Sequence, residues 1–375
     1  MKERRLAILA THPVQYFVPV FRGLSKLPGW HSRVFVGCLH GVQDESYDPD
    51  FRLTFAWDCD LSSGYERTAI TGWSLKALSG WRGVLAGCRA ALSLLRWRPD
   101  AVLIYAYSPS FIATASLLLA LAQVPILLRA DTSDEAYSRS TAKSWLRDQV
   151  LRAYYSRCRW LFPIGAESYL HFLRLGVPPA QLHTVLYAVD KTVIPPQEED
   201  QPPRQDPLRL GFVGKFTPVK DPMIIARALA HLSPSELERL AFYAAGDGPL
   251  LSGVCRAIEQ LLTCVDCLGF LNQSQLPEFY RQIDVLVLPS VQGEVWGLVV
   301  NEALSQGVRV IVSDRVSCRH DLVLAEQHGW VFSAGQSRAL ARAIRLSMQA
   351  WPWPRCPQPT PSPQQLVEAV QEVLG

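Results

Sequence analysis

The stretch GEVWGLVVNEALSQG, residues 293–307, carries two glutamates, Glu294 and Glu302, separated by seven residues around a glycine-bounded turn and an apolar run. A helix rises about 1.5 Å and turns about 100° per residue, so a helix over this stretch holds the two carboxylates roughly 12 Å and about 80° apart. The backbone N–H groups of Val295, Trp296 and Gly297 then fall at the helix start, between the two acids. Two hydrogen-bond acceptors flanking a partly positive centre suit a ligand with hydroxyls at both ends and an anionic middle.

Two earlier turns supply the groups that such a middle needs. GKFTPVKD places Gly214, Lys215 and Lys220 directly after the strand-like run LRLGFV. Glycine lets the backbone approach a pyrophosphate closely, and two ammonium groups neutralise it. AGDGPL places Gly246 and Gly248 after a second such run, LAFYAA. In open parallel sheets ligands bind beyond the carboxyl ends of the strands, which is where all three turns fall. A nucleotide-sugar has the required form: ribose hydroxyls for one carboxylate, sugar hydroxyls for the other, and a diphosphate for the lysines.

The rest of the chain must position these turns. Short apolar runs alternate with helical patterns from RLAILA through VRVIVSD, the rhythm of βαβ units on parallel sheets. Proline and charge interrupt it at PPQEEDQPPRQDP, residues 195–207, and WPWPRCPQPTPSP, residues 351–363, precedes a last helical pattern. The expected architecture is α/β, with two doubly wound Rossmann-like domains facing across a cleft. Residues 1–190 form an acceptor-binding domain, 191–207 a linker, 208–350 the nucleotide-sugar-binding domain, and 351–375 a proline-rich segment and helix returning toward the first domain. The 375 residues, 49% hydrophobic and 19% charged, suffice for two cores. Residues 1–185 hold 21 basic and 14 acidic side chains, a charge of +7, and the remainder carries −4. Such asymmetry suggests different partners for the two halves.

Nine scattered cysteines imply buried thiols rather than a disulfide framework, and Cys264 and Cys267 form a CxxC without a second pair for zinc. The apolar run 111–128 contains Gln123 and Pro125 and reads as a helix and a strand rather than a membrane span, which places the protein in the cytosol. The Asp48–Asp50 and Asp58–Asp60 patterns resemble metal-binding DxD motifs, but two-letter patterns arise by chance and no metal or other cofactor is expected. Nothing indicates a nucleic-acid partner.

Residues 208–345 resemble the nucleotide-binding domain of family 4 glycosyltransferases with the GT-B fold. The likeness rests on GKFTPVK, AGDGPL, the LGF turn that ends in Phe270, and PSVQGEVWGLVVNEALSQG; THPVQYFVPVFRGL, FPIGAESYLHFLRLGVP and LYAVD agree less specifically. The resemblance implies that Glu302 grips the ribose, Glu294 the transferred sugar, and Lys215 and Lys220 the diphosphate, with retention and no metal. It further implies a saccharide or lipid-linked acceptor in bacterial cell-surface polysaccharide or glycolipid assembly. Two departures concern the acceptor side. His12, Gln15 and Tyr16 stand where the family has a Gly-Gly turn, and RADTS stands where it has an active-site histidine, which leaves Arg129 or Asp131 as substitutes.

A dehydrogenase is disfavoured by the lack of G-x-G-x-x-G, and a P-loop enzyme by the lack of its motif. A nucleotide-sugar epimerase of the same fold and a donor-binding scaffold without activity stay open. One further pattern concerns location. Between Glu66 and Asp100 there is no acidic residue, and Leu75, Leu78, Trp81, Leu85, Cys88, Leu92 and Leu95 make an apolar stripe beside Arg82, Arg89 and Arg96. With Trp73, Trp81 and Trp97 nearby, this face suits peripheral contact with the inner face of an anionic membrane. The alternative is a core-facing helix with a solvated basic side.

Overall fold

The computed structural model describes residues 3–42, 46–48, 51, 53–134, 141–190, 193–195, 204–325 and 327–375. The first half contributes strands β1 (Arg4–Ala10), β2 (Trp30–Val36), β3 (Ser46–Asp48), β4 (Leu53–Phe55), β5 (Arg67–Ala69), β6 (Ala101–Tyr105), β7 (Ile126–Ala130) and β8 (Cys158–Pro163). The second contributes β9 (Leu208–Val213), β10 (Leu240–Ala245), β11 (Val265–Cys267), β12 (Val285–Leu288), β13 (Arg309–Ser313) and β14 (Gly329–Phe332). Central strands such as AVLIY and VLVL are apolar at every position because helices cover both faces of the sheet.

Two parallel six-stranded sheets result, in the orders β5-β2-β1-β6-β7-β8 and β11-β10-β9-β12-β13-β14. The strand order reverses between β1 and β6 in one sheet and between β9 and β12 in the other. Loops leaving such a pair of strands diverge to opposite faces and open a crevice between them. The turn with Lys215 leaves β9, and the one with Glu294 leaves β12. β3 and β4 pair antiparallel as a separate hairpin that the sequence reading did not anticipate.

One of the cores spans both halves. Ile164, Tyr187 and Val189, from the chain leaving the first sheet, are buried among Val213, Leu288, Trp296 and Val300 of the second. The helix Pro363–Leu374 packs against the helix Val18–Leu24, with Leu366, Val367 and Val370 buried in the core of the first half.

Two expectations are corrected. Cys267 is bonded to Cys255, which ties the helix Leu251–Glu259 to the strand that carries the Phe270 turn. Cys264 is exposed, as are Cys88 and Cys356, so the cysteines are not uniformly buried thiols. The pairing is illegible in sequence because helix packing, not spacing, brings Cys255 beside β11.

The basic, acid-free stretch forms an α-helix over Gly80–Trp97, preceded by a 3-10 turn over Leu75–Leu78 in which Leu78 is buried. The face turned to the core is made of Gly83, Ala86, Gly87, Ala90, Ala91 and Leu94, which pack on the helix Ser110–Leu121. Trp81, Leu85, Leu92 and Leu95 therefore point outward, beside exposed Arg82, Arg89 and Arg96. Of the three tryptophans, Trp81 alone stands out, 73% exposed; Trp73 packs on the core, and Trp97 lies against Phe35.

Candidate active site

The loop before Glu302 is not helical as far as Glu294. The helix runs Leu298–Ser305, and Gly297 precedes it with φ +102°, a conformation that stops a helix from extending backward. Glu294 thus lies in the loop and Glu302 in the helix, which corrects the reading of one helix start between them. Trp296 anchors this loop with a buried side chain: its indole N–H donates to Asn301 Oδ1 at 2.7 Å, and Asn301 Nδ2 donates to the Tyr187 carbonyl at 3.0 Å. Trp296 can therefore serve a ligand by its backbone only.

Glu294 accepts from Ser290 Oγ at 2.7 Å and from the Lys220 ammonium. Ser290 is itself held because Ser313 donates to its carbonyl. Lys220 ends the short turn Pro218–Lys220, and the Val291 N–H bonds the carbonyl of Val219 at 2.9 Å, so the two loops at the sheet reversal are stitched together. Lys215 Nζ lies 2.9 Å from Asp48 Oδ2 and 5.1 Å from the Phe51 ring. Asp48, part of a DxD-like pattern, thus pairs with a lysine. Asp50 lies outside the described residues, and Asp58 and Asp60 bind Ser274 and Arg22 rather than each other.

The glycine turns interlock. An added Cβ on Gly246, where φ is +130°, would sit 1.9 Å from the Gly214 carbonyl oxygen, and one on Gly248 would meet Phe216 O at 2.8 Å. Gly246 N–H in turn donates to Gly269 O at 2.7 Å, beside Phe270. These glycines build the floor of the crevice by letting three loops touch.

Glu302 occupies a small cavity with Gln15, Tyr16, Asp190, Gln273 and Leu298. Burial raises its pKa to about 7, against which the Tyr280 hydroxyl, donating at 2.6 Å, works in favour of the carboxylate. Gln15 and Tyr16 of the first half thus meet Glu302 of the second. His12 lies next to Thr11, its Nδ1 3.0 Å from the hydroxyl, and burial together with nearby His40 lowers its pKa to about 4, so it is neutral at physiological pH.

Arg129 is 4% exposed and donates to the carbonyls of Val185 and Leu186, with Tyr187 beneath its guanidinium. These contacts make it a strut for the crossing chain. Asp131 accepts from the Tyr187 hydroxyl at 3.1 Å, and burial raises its pKa. Sequence reasoning also missed the contacts that close the two halves. Asp321 accepts the Ala166 N–H at 3.1 Å, and Glu167 accepts from Arg319 and Ser317 at 2.7 Å each. No local motif marks such pairs.

Residues 193–374 match the family described as glycosyl transferases group 1. The chain is 27% identical over 163 residues to the putative glycosyltransferase EpsF of Bacillus subtilis, covering 44% of this chain and 41% of that one. It is 26% identical over 242 residues, 63% of each chain, to a Campylobacter jejuni alpha-1,4-N-acetyl-D-galactosaminyltransferase named for a diNAcBac-PP-undecaprenol saccharide. The chain thus spans less than two thirds of these curated relatives. Among solved structures, sucrose-phosphate synthase from Thermosynechococcus elongatus superposes with a TM-score of 0.66 at 18% identity, over 98% of this chain and 94% of that one. The fold is GT-B.

Proposed function

We propose that this protein is a retaining glycosyltransferase that moves a sugar from a nucleotide-diphosphate sugar to a saccharide or lipid-linked saccharide acceptor, without a metal. The observation that carries this reading is the convergence at one sheet reversal: Lys215 and Lys220 beyond β9, Glu294 beyond β12, and Glu302 one turn into the helix that follows, facing Gln15 and Tyr16. The match of residues 193–374 to group 1 glycosyl transferases supports it.

In this reading Glu302 accepts the ribose hydroxyls and Glu294 those of the sugar. Lys215 and Lys220 neutralise the diphosphate and hold the charge that grows on it as the sugar–phosphate bond breaks, where stabilisation speeds the reaction. The acceptor oxygen bonds to the anomeric carbon on the face the phosphate leaves, and the departing phosphate oxygen takes the acceptor's proton. Gln15, Tyr16 and Asp131 border the acceptor side. Among the described residues no helix is long and apolar enough to cross a membrane. The outward Trp81–Leu95 face beside three arginines supports peripheral docking on the cytoplasmic side of an anionic membrane, and the undecaprenol named for the Campylobacter relative supports a lipid-linked acceptor.

Purified protein incubated with UDP-, GDP-, ADP- and dTDP-sugars and lipid-linked saccharides, with excess EDTA present, tests this. Transfer with an unchanged anomer by NMR is expected. An inverted product or loss of transfer in chelator overturns the mechanism. Donor binding without transfer favours a scaffold, and interconversion of the donor itself an epimerase.

A further inference from the structure

The β3–β4 hairpin belongs to the first half by sequence, yet its contacts are with the second. Asp48 bonds Lys215 through both carboxylate oxygens, at 2.9 and 3.2 Å. Phe51 and Phe55 pack on Phe270 with ring centroids 5.2 and 4.4 Å apart. Beyond the hairpin, Asn272 Nδ2 donates to the Ala56 carbonyl at 2.8 Å. Asp58 accepts from the Ser274 N–H at 3.2 Å and from its hydroxyl at 2.5 Å. The arm therefore lies across the β9 and β11 turns, over two of the residues assigned to the donor.

We propose that this arm is a built-in competitor for the donor, with the Asp48 carboxylate occupying on Lys215 the place a phosphate takes. The inference rests on the donor-site reading above. One ammonium cannot give its full charge to a carboxylate and a diphosphate together, and two anions brought side by side repel. Donor entry must therefore lift Asp48 away, and the arm's return to Lys215 opposes the nucleoside diphosphate left after transfer. The aromatic contacts with Phe270 and the polar contacts through Asn272 and Ser274 keep the carboxylate close at hand. The side chains of Lys215 and Asp48 are 30% and 26% exposed, so their bond is partly screened and weak enough to exchange.

Asp48→Asn is the informative variant. Asp48 Oδ1 also accepts the Phe51 N–H at 3.1 Å within the hairpin, and an amide oxygen retains that bond while the charge is lost. UDP, GDP, ADP and dTDP are each titrated calorimetrically against wild type, Asp48→Asn and Lys215→Ala. The nucleotide that binds wild type should bind Asp48→Asn roughly two- to fivefold more tightly, the range expected for losing one partly exposed competing ion pair. It should bind Lys215→Ala more weakly, and the gain in Asp48→Asn should shrink as salt rises. Equal or weaker binding by Asp48→Asn, with weakening in Lys215→Ala, overturns the competitor while leaving the donor site in place. If all three proteins bind alike, or none binds any of the four, the donor-site reading falls and the competitor with it.

Discussion

The Tyr280 hydroxyl donates to Glu302 Oε2 at 2.6 Å inside a pocket that raises the carboxyl's pKa from 4.5 to about 7. Burial disfavours the charged form more than the one hydrogen bond restores. The folded protein thus holds this proton more tightly than the unfolded chain. Its stability contribution is highest below pH 4.5, falls as pH rises from 4.5 to 7, and is level above. The penalty reached above pH 7 is at most about 3 kcal/mol. Glu302→Gln should escape it, so chemical denaturation should show the variant gaining on wild type across that window. A constant difference at all pH values argues against a buried, proton-holding Glu302.

Ligand affinity should show the opposite slope. Ribose hydroxyls donate best to an ionised carboxylate, so a nucleotide-sugar should bind wild type more tightly above pH 7 than below. Glu302→Gln should bind more weakly and without that pH dependence. Titration calorimetry at several pH values distinguishes the two, and parallel curves would exclude the ribose role.

Glu294 and Lys220 form one pair held by Ser290. Lys220→Ala removes a cation from the proposed diphosphate site and leaves Glu294 without its partner. The loss should be about 1–3 kcal/mol in donor binding, or roughly ten- to hundredfold in affinity. Glu294→Gln retains hydrogen bonding to sugar hydroxyls and should bind donor with a smaller deficit. Equal affinities for wild type and Lys220→Ala would sink the assignment.

Gly246→Ala tests the floor of the crevice. Its Cβ would meet backbone 1.9 Å away, and the positive φ adds strain of about 1–3 kcal/mol. A lowered melting temperature is expected together with weakened donor binding, because the Gly214 loop must shift. A variant that melts like wild type and binds like it would show that these loops have slack.

The outward helical face predicts lipid binding. Wild type should float with anionic vesicles at low salt and dissociate as salt screens the attraction, since each basic residue near such a surface gains about 1 kcal/mol. Replacing Arg82, Arg89 and Arg96 with Glu should leave the protein in the soluble fraction. Flotation equal to wild type would place the membrane contact elsewhere.

The sequence by itself determined the parallel α/β architecture, because helix-covered strands must be apolar at every position and AVLIY or VLVL admit little else. It also located the turns proposed for the donor, since Lys215, Gly246 and Glu294 each lie in the loop that follows such a run. Tertiary structure alone decided what those turns touch. Asp48 reaches Lys215 across 167 positions and Asp321 reaches Ala166 across 155, distances over which no local pattern carries information. The same limit hid the contacts of Arg129, which donates to two backbone carbonyls of the crossing chain, while the Cys255–Cys267 bond, only 12 positions apart, was hidden because helix packing brings the two together. For the helix Gly80–Trp97, periodicity revealed an apolar stripe but not its direction. That was settled by packing: the small face of Gly83, Ala86, Gly87 and Ala90 lets the neighbouring helix approach closely, so the larger side chains Trp81, Leu85, Leu92 and Leu95 are left facing solvent.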